Sequence, residues 1–258
     1  MPVVKTDPYS QAPLFIKLSV GDHDLASATA FFYRSAGNLY LVSNWHNYSG
    51  RDPRTLDPLS TTTAGVPDTV SCYLCLAGEF IVREWHSFPL LRDGVGLWYE
   101  HPQDRHAIDI GVLPVALPDN FQAIPINDRP ATDLRLRVSD DVFVLGYPLG
   151  LIDSHGMPLW KRASVASEPG TSEPSFLVDT ATRSGMSGSP VVQRYRGFYK
   201  HDEDSPGVSG QDWFGEADSF VGVYSGRLGA SQLEAQLGIV WKKRLIDEIV
   251  NGSRSYER

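Results

Sequence analysis

The sequence predicts an all-β protein built from two barrels, and three observations support this prediction. Short runs rich in Val, Ile, Leu and aromatic residues recur along the chain, separated by Gly, Pro, Asp and Asn, as is usual for strands and turns. The stretch 117–130 contains three prolines and divides the 258 residues into similar halves. Helical periodicity is confined to the C-terminal end. We expect two antiparallel β-barrels of roughly six strands each, in residues 1–120 and 121–258, because barrel closure removes exposed strand edges.

Local composition predicts the individual elements. Clear strand candidates are 28–33, 39–44, 70–76, 79–85, 108–115, 142–146, 176–179, 190–194 and 220–225. The segment 35–38 separates the first two strands and predicts a hairpin turn. Trp241, Leu245 and Ile249 recur at helical spacing, and an Asn-Gly pair then gives a stop signal. This spacing predicts a terminal helix at about 241–250, packed across the outside of a barrel.

Charge and hydropathy patterning exclude several classes of function. The net charge of -8 argues against general nucleic-acid binding, because phosphates require a basic face on the protein. No apolar run is long enough to span a membrane. The segment that begins at Met1 lacks the basic and apolar regions of a secretory signal. We therefore expect a cytoplasmic protein that has neither nucleic acid nor membrane as a partner.

Cys72 and Cys75 are the two cysteines of the chain, which is too few for a disulfide framework. Their spacing also suggests a metal or redox site, but a zinc site needs further ligands at suitable spacing, and we see none. The pair lies in a strand candidate, where residues three apart point to opposite faces. Buried free thiols are the better interpretation, and we expect neither a metal nor another cofactor.

A Gly- and Ser-rich motif between Ser184 and Pro190 carries the clearest chemical signal. Glycines on both sides of Ser187 permit a tight turn that exposes the serine hydroxyl. The same turn can direct the backbone N–H groups of Gly185 and Ser187 to one point, where they would form an oxyanion hole for acyl transfer. A strand candidate follows the motif, whereas a helix follows the serine of the lipase-type elbow. Taken alone, the motif is equally consistent with a hairpin loop that has no chemistry.

A hydroxyl needs a base to become a good nucleophile, and His46 stands out among the seven histidines. It ends the strand-like run 39–46, where a side chain held by a buried strand can reach a cleft. Asp109 is a lone carboxylate among apolar neighbours, and a buried carboxylate is costly unless it is paired. It could orient His46 and stabilise the imidazolium. The alternatives are an exposed strand-end histidine and a solvent-facing aspartate; nearby Asp104 and His106 have more polar surroundings and are poorer candidates.

In combination, these residues resemble the chymotrypsin-like serine peptidase family, whose catalytic residues follow the order His, Asp, Ser. His46 and Asp109 precede the proposed linker and Ser187 follows it, as a site between two barrels requires. The run 28–46 resembles the family's approach to its base. The run 142–150 (VFVLGYPLG) resembles the matching segment of bacterial members of the HtrA and glutamyl-endopeptidase type.

The resemblance covers about residues 26–241 and implies a serine endopeptidase that acts on protein or peptide substrates. It implies a triad in which the histidine is the base, the aspartate orients it and the serine is the nucleophile. The N–H groups of Gly185 and Ser187 would bind the oxyanion. Met186 replaces the aspartate that, in secreted digestive members, pairs with a newly cut amino terminus, so activation by that route is not available.

By the same resemblance, segment 222–226 pairs with substrate backbone and walls the primary specificity pocket. The pocket is then expected to be lined by Thr180, Ala181, Thr182, Tyr224, Ser225, Gly226 and Arg227. No acidic residue lies near the pocket base at Ala181, which argues against a preference for Arg or Lys. Thr182 resembles the threonine of glutamate-specific relatives, but Tyr224 stands where they carry a histidine. Acidic and small apolar preferences both stay open, and Arg227 could attract an acidic side chain or face solvent.

Other possibilities also stay open. The stretch 199–219 has six acidic residues and three glycines, which predicts a solvated surface loop that could also cover the cleft; its spacing is not that of an EF-hand calcium site. The fold could instead serve as a non-catalytic peptide- or partner-binding module, although no triad residue is lost. A peptidase that stays latent until a regulatory partner orders its site is the third possibility.

Overall fold

Strands make up most of the structure, a computed structural model that describes residues 6–60, 63–79, 82–129, 132, 134–200, 212–227 and 236–257. The strands of the first half are β1 (Pro13–Val20), β2 (His23–Ser35), β3 (Asn38–Ser43), β4 (Thr69–Cys75), β5 (Arg83–Pro89), β6 (Leu91–Arg92), β7 (Val95–Glu100) and β8 (Gly111–Pro114). The strands of the second half are β9 (Asp141–Gly146), β10 (Leu159–Val165), β11 (Ser175–Asp179), β12 (Pro190–Tyr199), β13 (Trp213–Arg227), β14 (Leu237–Lys242) and β15 (Arg254–Glu257). The helices are α1 (Trp45–Ser49), α2 (Arg244–Gly252) and three 3-10 turns at Pro8–Gln11, Ile126–Asp128 and Pro148–Gly150. The predicted all-β class is confirmed.

Antiparallel pairing builds two sheets. The first follows the order β15-β7-β8-β3-β2-β1-β4-β5, with β6 paired to β7. The second closes on itself in the order β10-β11-β14-β13-β12-β9. The second sheet is thus the expected six-stranded barrel. The first differs from the expected six strands, because it contains nine along an open path, the short β6 and the C-terminal β15 among them.

The C-terminal helix begins three residues later than the sequence periodicity indicates. Trp241 belongs to β14, where it pairs with Ser175 and Val223, so the apolar spacing continues from a strand into α2. The apolar face of this helix is buried. Residues 254–257 follow it directly and pair with β7. The end of the chain therefore returns to the first sheet and covers one of its edges.

The acidic stretch 199–219 is only partly a loop. β12 and β13 form one long hairpin, in which Tyr199 pairs with Trp213. Residues 213–219 are therefore strand, which corrects the interpretation of the whole stretch as a loop. Residues 201–211 lie outside the described part of the chain. The hairpin predicted at 35–38 is confirmed, since β2 pairs with β3 up to Ser35 and Asn38.

One apolar core joins the two halves. It contains Phe31 and Val42 from the first sheet, and Val192 and Phe220 from the second barrel. The rings of Phe31 and Phe220 meet edge to face with centroids 5.4 Å apart. This shared core fixes the facing ends of β2, β3 and β13, which are the strands next to the candidate site. Within the described residues, neither helix has the length and apolar character needed to cross a bilayer.

Candidate active site

The structure joins His46 and Asp109 at the edge of the first sheet. β3 ends at Ser43, and His46 lies in the first turn of α1 rather than in the strand. The Nδ1 atom of His46 is 2.7 Å from Oδ2 of Asp109, and the backbone N–H of His46 donates to Oδ1 at 2.9 Å. One carboxylate therefore holds both the ring and the main chain of the histidine. Because Nδ1 is bound to Asp109, Nε2 is the nitrogen left to accept a proton.

Asp109 is 2% exposed and lies two residues before β8. The side-chain amide of Asn44 donates to its backbone carbonyl at 2.7 Å. The hydroxyl of Ser225 on β13 donates to its Oδ2 atom. A buried carboxylate loses its hydration and needs such donors. Asn44, which precedes α1, and Ser225 of β13 thus hold Asp109 from both halves of the chain.

The charge of Asp109 alters the proton affinity of His46. Burial of the imidazole disfavours its charged form, but the attraction of Asp109 and the hydrogen bond to it outweigh burial, with a smaller contribution from Asp52. The pKa of His46 is therefore raised above its ordinary value. A raised pKa makes the imidazole a stronger base for removal of a proton from a hydroxyl.

Ser187 lies in a tight turn between β11 and β12, and the backbone pins this turn to both sheets. Thr29 of β2 donates its N–H to the Ser187 carbonyl at 2.9 Å, and Gly188 donates to the Tyr224 carbonyl of β13 at 2.9 Å. Gly185 and Gly188 have φ of 91° and 83°, which glycine tolerates best. A Cβ atom at Gly188 would lie 2.1 Å from the Thr29 carbonyl oxygen. The glycines are thus required by both conformation and space.

The N–H groups of Gly185 and Ser187 are available for a ligand, since neither donates to an acceptor within the described residues. The carbonyl of Ser184 accepts the N–H of Leu149 at 2.7 Å. A trans peptide directs its C=O and N–H to opposite sides, so the N–H of Gly185 faces away from Leu149. The hydroxyl of Thr29 holds the Gly185 carbonyl at 2.8 Å. This arrangement is suited to an oxyanion hole.

The residue that follows His46 contacts the Ser187 turn, so the two candidate residues lie near each other where the sheets meet. The side-chain amide of Asn47, which follows His46, lies 3.5 Å from the Ser187 carbonyl oxygen. A Cβ atom built on Gly226 of β13 would lie 3.9 Å from Ser187 Oγ. In the described part of the chain, no hydrogen bond joins Ser187 Oγ to His46. Nucleophile–base hydrogen bonds are often long before substrate binds.

The residues expected to line the specificity pocket occupy different environments. Thr182 and Tyr224 are 2% and 1% exposed, and their hydroxyls hydrogen-bond to each other. Burial of the Tyr224 phenol raises its pKa, so this pair is neutral. The hydroxyl of Thr180 donates to the Arg162 carbonyl of β10 at 3.3 Å. The others differ in exposure: Ala181, Ser225 and Gly226 are half-buried, and Arg227 is exposed.

Thr29, Asn44 and Asn47 support the site but were not predicted from the sequence, and Ser225 was predicted only as a pocket residue, without its bond to Asp109. A signal existed for two of them, because Asn44 and Asn47 flank His46 in the sequence.

The described residues contain no group of three or more His, Cys, Asp or Glu placed to hold a metal ion. Cys72 and Cys75 are both buried, as expected, and neither forms a disulfide.

Comparison with known proteins assigns the chain to a family. The profile of the trypsin-like peptidase domain matches residues 28–198, and the curated proteins give no match. A mutant of Rv3671c from M. tuberculosis in an inactive form is similar at a TM-score of 0.48 and 17% identity, with 97% of this chain and 95% of that chain covered. The serine endoprotease from Yersinia pestis is similar at 0.52 and 12% identity, with 96% and 66% covered. A variant of the HtrA-type protease AlgW with a tripeptide is similar at 0.50 and 14% identity, with 94% and 60% covered.

At these identities the solved structures support the fold alone, and the match to the family profile identifies the family. The matched residues span most of the chain and include His46, Asp109 and Ser187. Members of a peptidase family take proteins or peptides as substrates. The chain therefore belongs to the family of trypsin-like, or chymotrypsin-like, serine peptidases.

Proposed function

We propose that the chain is a serine endopeptidase that hydrolyses peptide bonds through an acyl-enzyme. The observation that carries the proposal is that the buried Asp109 carboxylate is hydrogen-bonded to both the ring and the backbone of His46. A solvated surface histidine would not need two hydrogen bonds to one buried carboxylate. The turn at Ser187, with two N–H groups available beside its hydroxyl, supplies the other half of the chemistry.

In the proposed reaction, Ser187 Oγ attacks the carbonyl carbon of the substrate while Nε2 of His46 takes the hydroxyl proton. The imidazolium is stabilised by the adjacent Asp109 carboxylate. Negative charge on the substrate oxygen is received by the N–H groups of Gly185 and Ser187. His46 then gives its proton to the leaving amine. A water molecule releases the acyl group in the same way, with His46 again as the base.

For the acyl side of the cleaved bond, we propose a preference for small side chains. The pocket base would be formed by Thr182 and Tyr224, whose hydroxyls bond to each other and not to an incoming charge. The Tyr224 ring packs against Gly238, where a Cβ atom would lie 2.3 Å from the ring. In this proposal the aromatic ring fills the base of the pocket and leaves room only for a small substrate side chain. Of the two preferences left open by the sequence, this favours small apolar over acidic.

A latent state is the second candidate, and one observation favours it. Ser187 Oγ makes no hydrogen bond to His46 in the part of the chain that is described. A partner or substrate that shifts the Ser187 turn would then complete the site. Titration of peptides against activity separates the two candidates. Full activity of the isolated chain with the first peptide tested would argue against latency.

Cleavage of a proteome-derived peptide library, read by mass spectrometry, tests the endopeptidase proposal. We expect new peptide ends with wild-type protein and none with the Ser187→Ala protein, because the latter lacks the attacking oxygen. The residue before each cut should be small, such as Ala or Ser. Equal cleavage by the Ser187→Ala protein would overturn the assignment of the nucleophile. If folded wild-type protein cleaves no peptide in any titration, the fold serves as a binding module instead.

A further inference from the structure

The residue directly before His46 belongs to a cluster of buried aromatic rings. The ring of Trp45 meets those of Trp98 on β7 and Tyr256 on β15 edge to face, with centroids 6.0 and 5.9 Å apart. The ring of Tyr256 stacks in turn on Trp98, with centroids 4.7 Å apart and planes inclined by 13°. All three residues are buried, and such ring pairs are favourable beyond the area that they bury. Each ring therefore restricts the position of the other two.

The helix that carries His46 is too short to fix its own orientation. α1 consists of five residues, and isolated helices of this length are not stable in water. The side chains that α1 buries must therefore set its position. The largest of them, Trp45 and Tyr48, both contact the ring of Trp98. The place of the His46 backbone thus depends on the ring cluster.

A buried carboxylate connects the cluster to the segment that carries Asp109. Glu100, the last residue of β7, is 1% exposed, and its Oε2 atom accepts the indole N–H of Trp45 at 3.1 Å. Its Oε1 atom accepts the Nε–H of Arg105 at 2.8 Å. The carbonyl of Arg105 accepts the N–H of Ile108 at 3.2 Å, directly before the aspartate. One carboxylate therefore contacts the segments that carry both the proposed base and its partner.

β15 supplies two of the groups that complete this arrangement. Its Tyr256 lies against Gly96 of β7, where a Cβ atom would be 2.8 Å from the Tyr256 Cβ atom. The missing side chain at Gly96 thus gives the tyrosine its place beside Trp98. The Nε atom of Arg254, on the same strand, lies 3.7 Å from Oε1 of Glu100. A buried carboxylate needs such a cation, because it has lost its hydration.

Open space beside the cluster makes the position of Trp45 depend on Tyr256. A cavity of about 290 Å³ adjoins the cluster, and Trp45, Glu100 and Tyr256 form part of its wall. A close-packed interior holds a side chain in one place, whereas a void beside it leaves room for a shift. Removal of the Tyr256 ring would enlarge this space next to the indole. Trp45 would then be free to turn, and the backbone at His46 would move with it.

We propose that Tyr256 is a positioning residue, which acts through Trp45 to hold His46 where Asp109 can orient it. The inference rests on the proposed peptidase function and adds to it a residue that lies outside the triad and its pocket. Catalysis depends steeply on geometry, since a displacement of about 1 Å can cost roughly 100-fold in rate. β15 therefore contributes to the rate of the reaction although none of its residues belongs to the site.

The test is the Tyr256→Leu protein, which keeps an apolar side chain but lacks the stacked ring. We expect kcat for one peptide substrate to fall about tenfold or more and KM to change less than about twofold, because placement of the base is lost and substrate binding is not. The Tyr256→Phe protein keeps the ring, and its kcat should lie within about twofold of the wild-type value. Ser255→Ala is the matched control, since Ser255 is exposed on the same strand; it should keep both constants.

The kinetics of fluorophosphonate labelling separate a displaced base from a partly unfolded protein. A displaced base lowers the rate constant of labelling, although all of the protein is labelled in the end. Partial unfolding lowers the final labelled fraction and leaves the rate constant of the folded molecules unchanged. We expect the first result for Tyr256→Leu. Labelling of this protein at the wild-type rate constant would overturn the positioning role alone.

The Gly96→Ala protein is a second variant, which decides the matter if Tyr256→Leu does not fold. Its Cβ atom displaces the tyrosine without removing any side chain, so labelling should again be slower and complete. An unchanged rate constant in this protein would also count against the positioning role. Wild-type protein that is neither labelled nor able to cleave peptides would overturn the peptidase proposal and this inference with it.

Discussion

The hydroxyl of Ser225 donates to Oδ2 of Asp109, the same oxygen that lies 2.7 Å from Nδ1 of His46. Ser225 belongs to the second barrel, whereas His46 and Asp109 lie in the first half of the chain. The carboxylate is therefore shared between the two halves of the protein. The orientation of His46, the proposed base, therefore depends on how the second barrel meets the first sheet, and not only on residues close to it in sequence.

Replacement of Ser225 by alanine tests this dependence. Loss of a hydrogen bond to a charged group costs about 1.5–3 kcal/mol, and we expect a fall in kcat/KM of roughly 10- to 100-fold. The Ser71→Ala protein is the control, since it removes a hydroxyl pair with Ser87 on an exposed face. Wild-type activity in Ser225→Ala would show that Asp109 does not need the second barrel.

The pH profile of activity should reveal how the Asp109 carboxylate shifts the pKa of His46. Activity requires neutral His46, and the pKa of His46 is raised, so activity should rise with pH through a midpoint above the ordinary value of about 6.5. The Asp109→Asn protein loses the charge that raises this pKa, and its midpoint should move to lower pH. Its kcat should fall on the order of 10⁴-fold. An acid limb that does not move on this replacement would contradict the assignment of Asp109.

Gly185→Ala should disable the oxyanion hole. A Cβ atom there would lie 2.3 Å from the Tyr147 carbonyl oxygen, at a φ of 91°. We expect kcat to fall about 100-fold or more as the N–H of Gly185 is displaced. Gly94→Ala has a similar φ of 79° but open space around the Cβ position, so it tests backbone strain without the clash. Equal losses of activity in the two proteins would argue against a role for the Gly185 N–H.

The side chain of Tyr224 should set the size limit on the acyl side. In the Tyr224→Val protein the space beside Thr182 is enlarged, and the ratio of kcat/KM for Phe over Ala before the cleaved bond should rise about tenfold or more. The Tyr224→Phe protein keeps the ring and should keep the preference for Ala. Circular dichroism checks that each protein is folded. An unchanged ratio in folded Tyr224→Val would place the pocket elsewhere.

Much of the fold was predictable because its signals are local. The hairpin between β2 and β3 follows from turn residues between two apolar runs, and Ser187 follows from glycines that permit its turn. Asp109 was recognisable as one carboxylate in an apolar segment, since burial of such a group calls for a partner. The order His46, Asp109, Ser187, which is that of the family, then grouped these three residues into one site. The triad stays a prediction until activity is measured.

The remaining features depend on long-range contacts. The hydrogen bond from Ser225 to Asp109 joins residues 116 positions apart, and no local pattern in either segment predicts it. β15 pairs with β7 only because α2 returns the chain to the first sheet. The start of α2 was predicted too early because Trp241, which lies in β14, has the same four-residue spacing as the apolar residues of the helix. Pairing between distant segments decides such cases, and tertiary packing overrides local periodicity.

Labelling of the purified protein with a fluorophosphonate probe tests the central claim most directly, because the probe reacts only with a serine that a base has activated. We predict covalent labelling at Ser187, identified by mass spectrometry, and its loss in both the Ser187→Ala and His46→Ala proteins. Labelling that persists in the His46→Ala protein, or that maps to a different serine, would contradict the account.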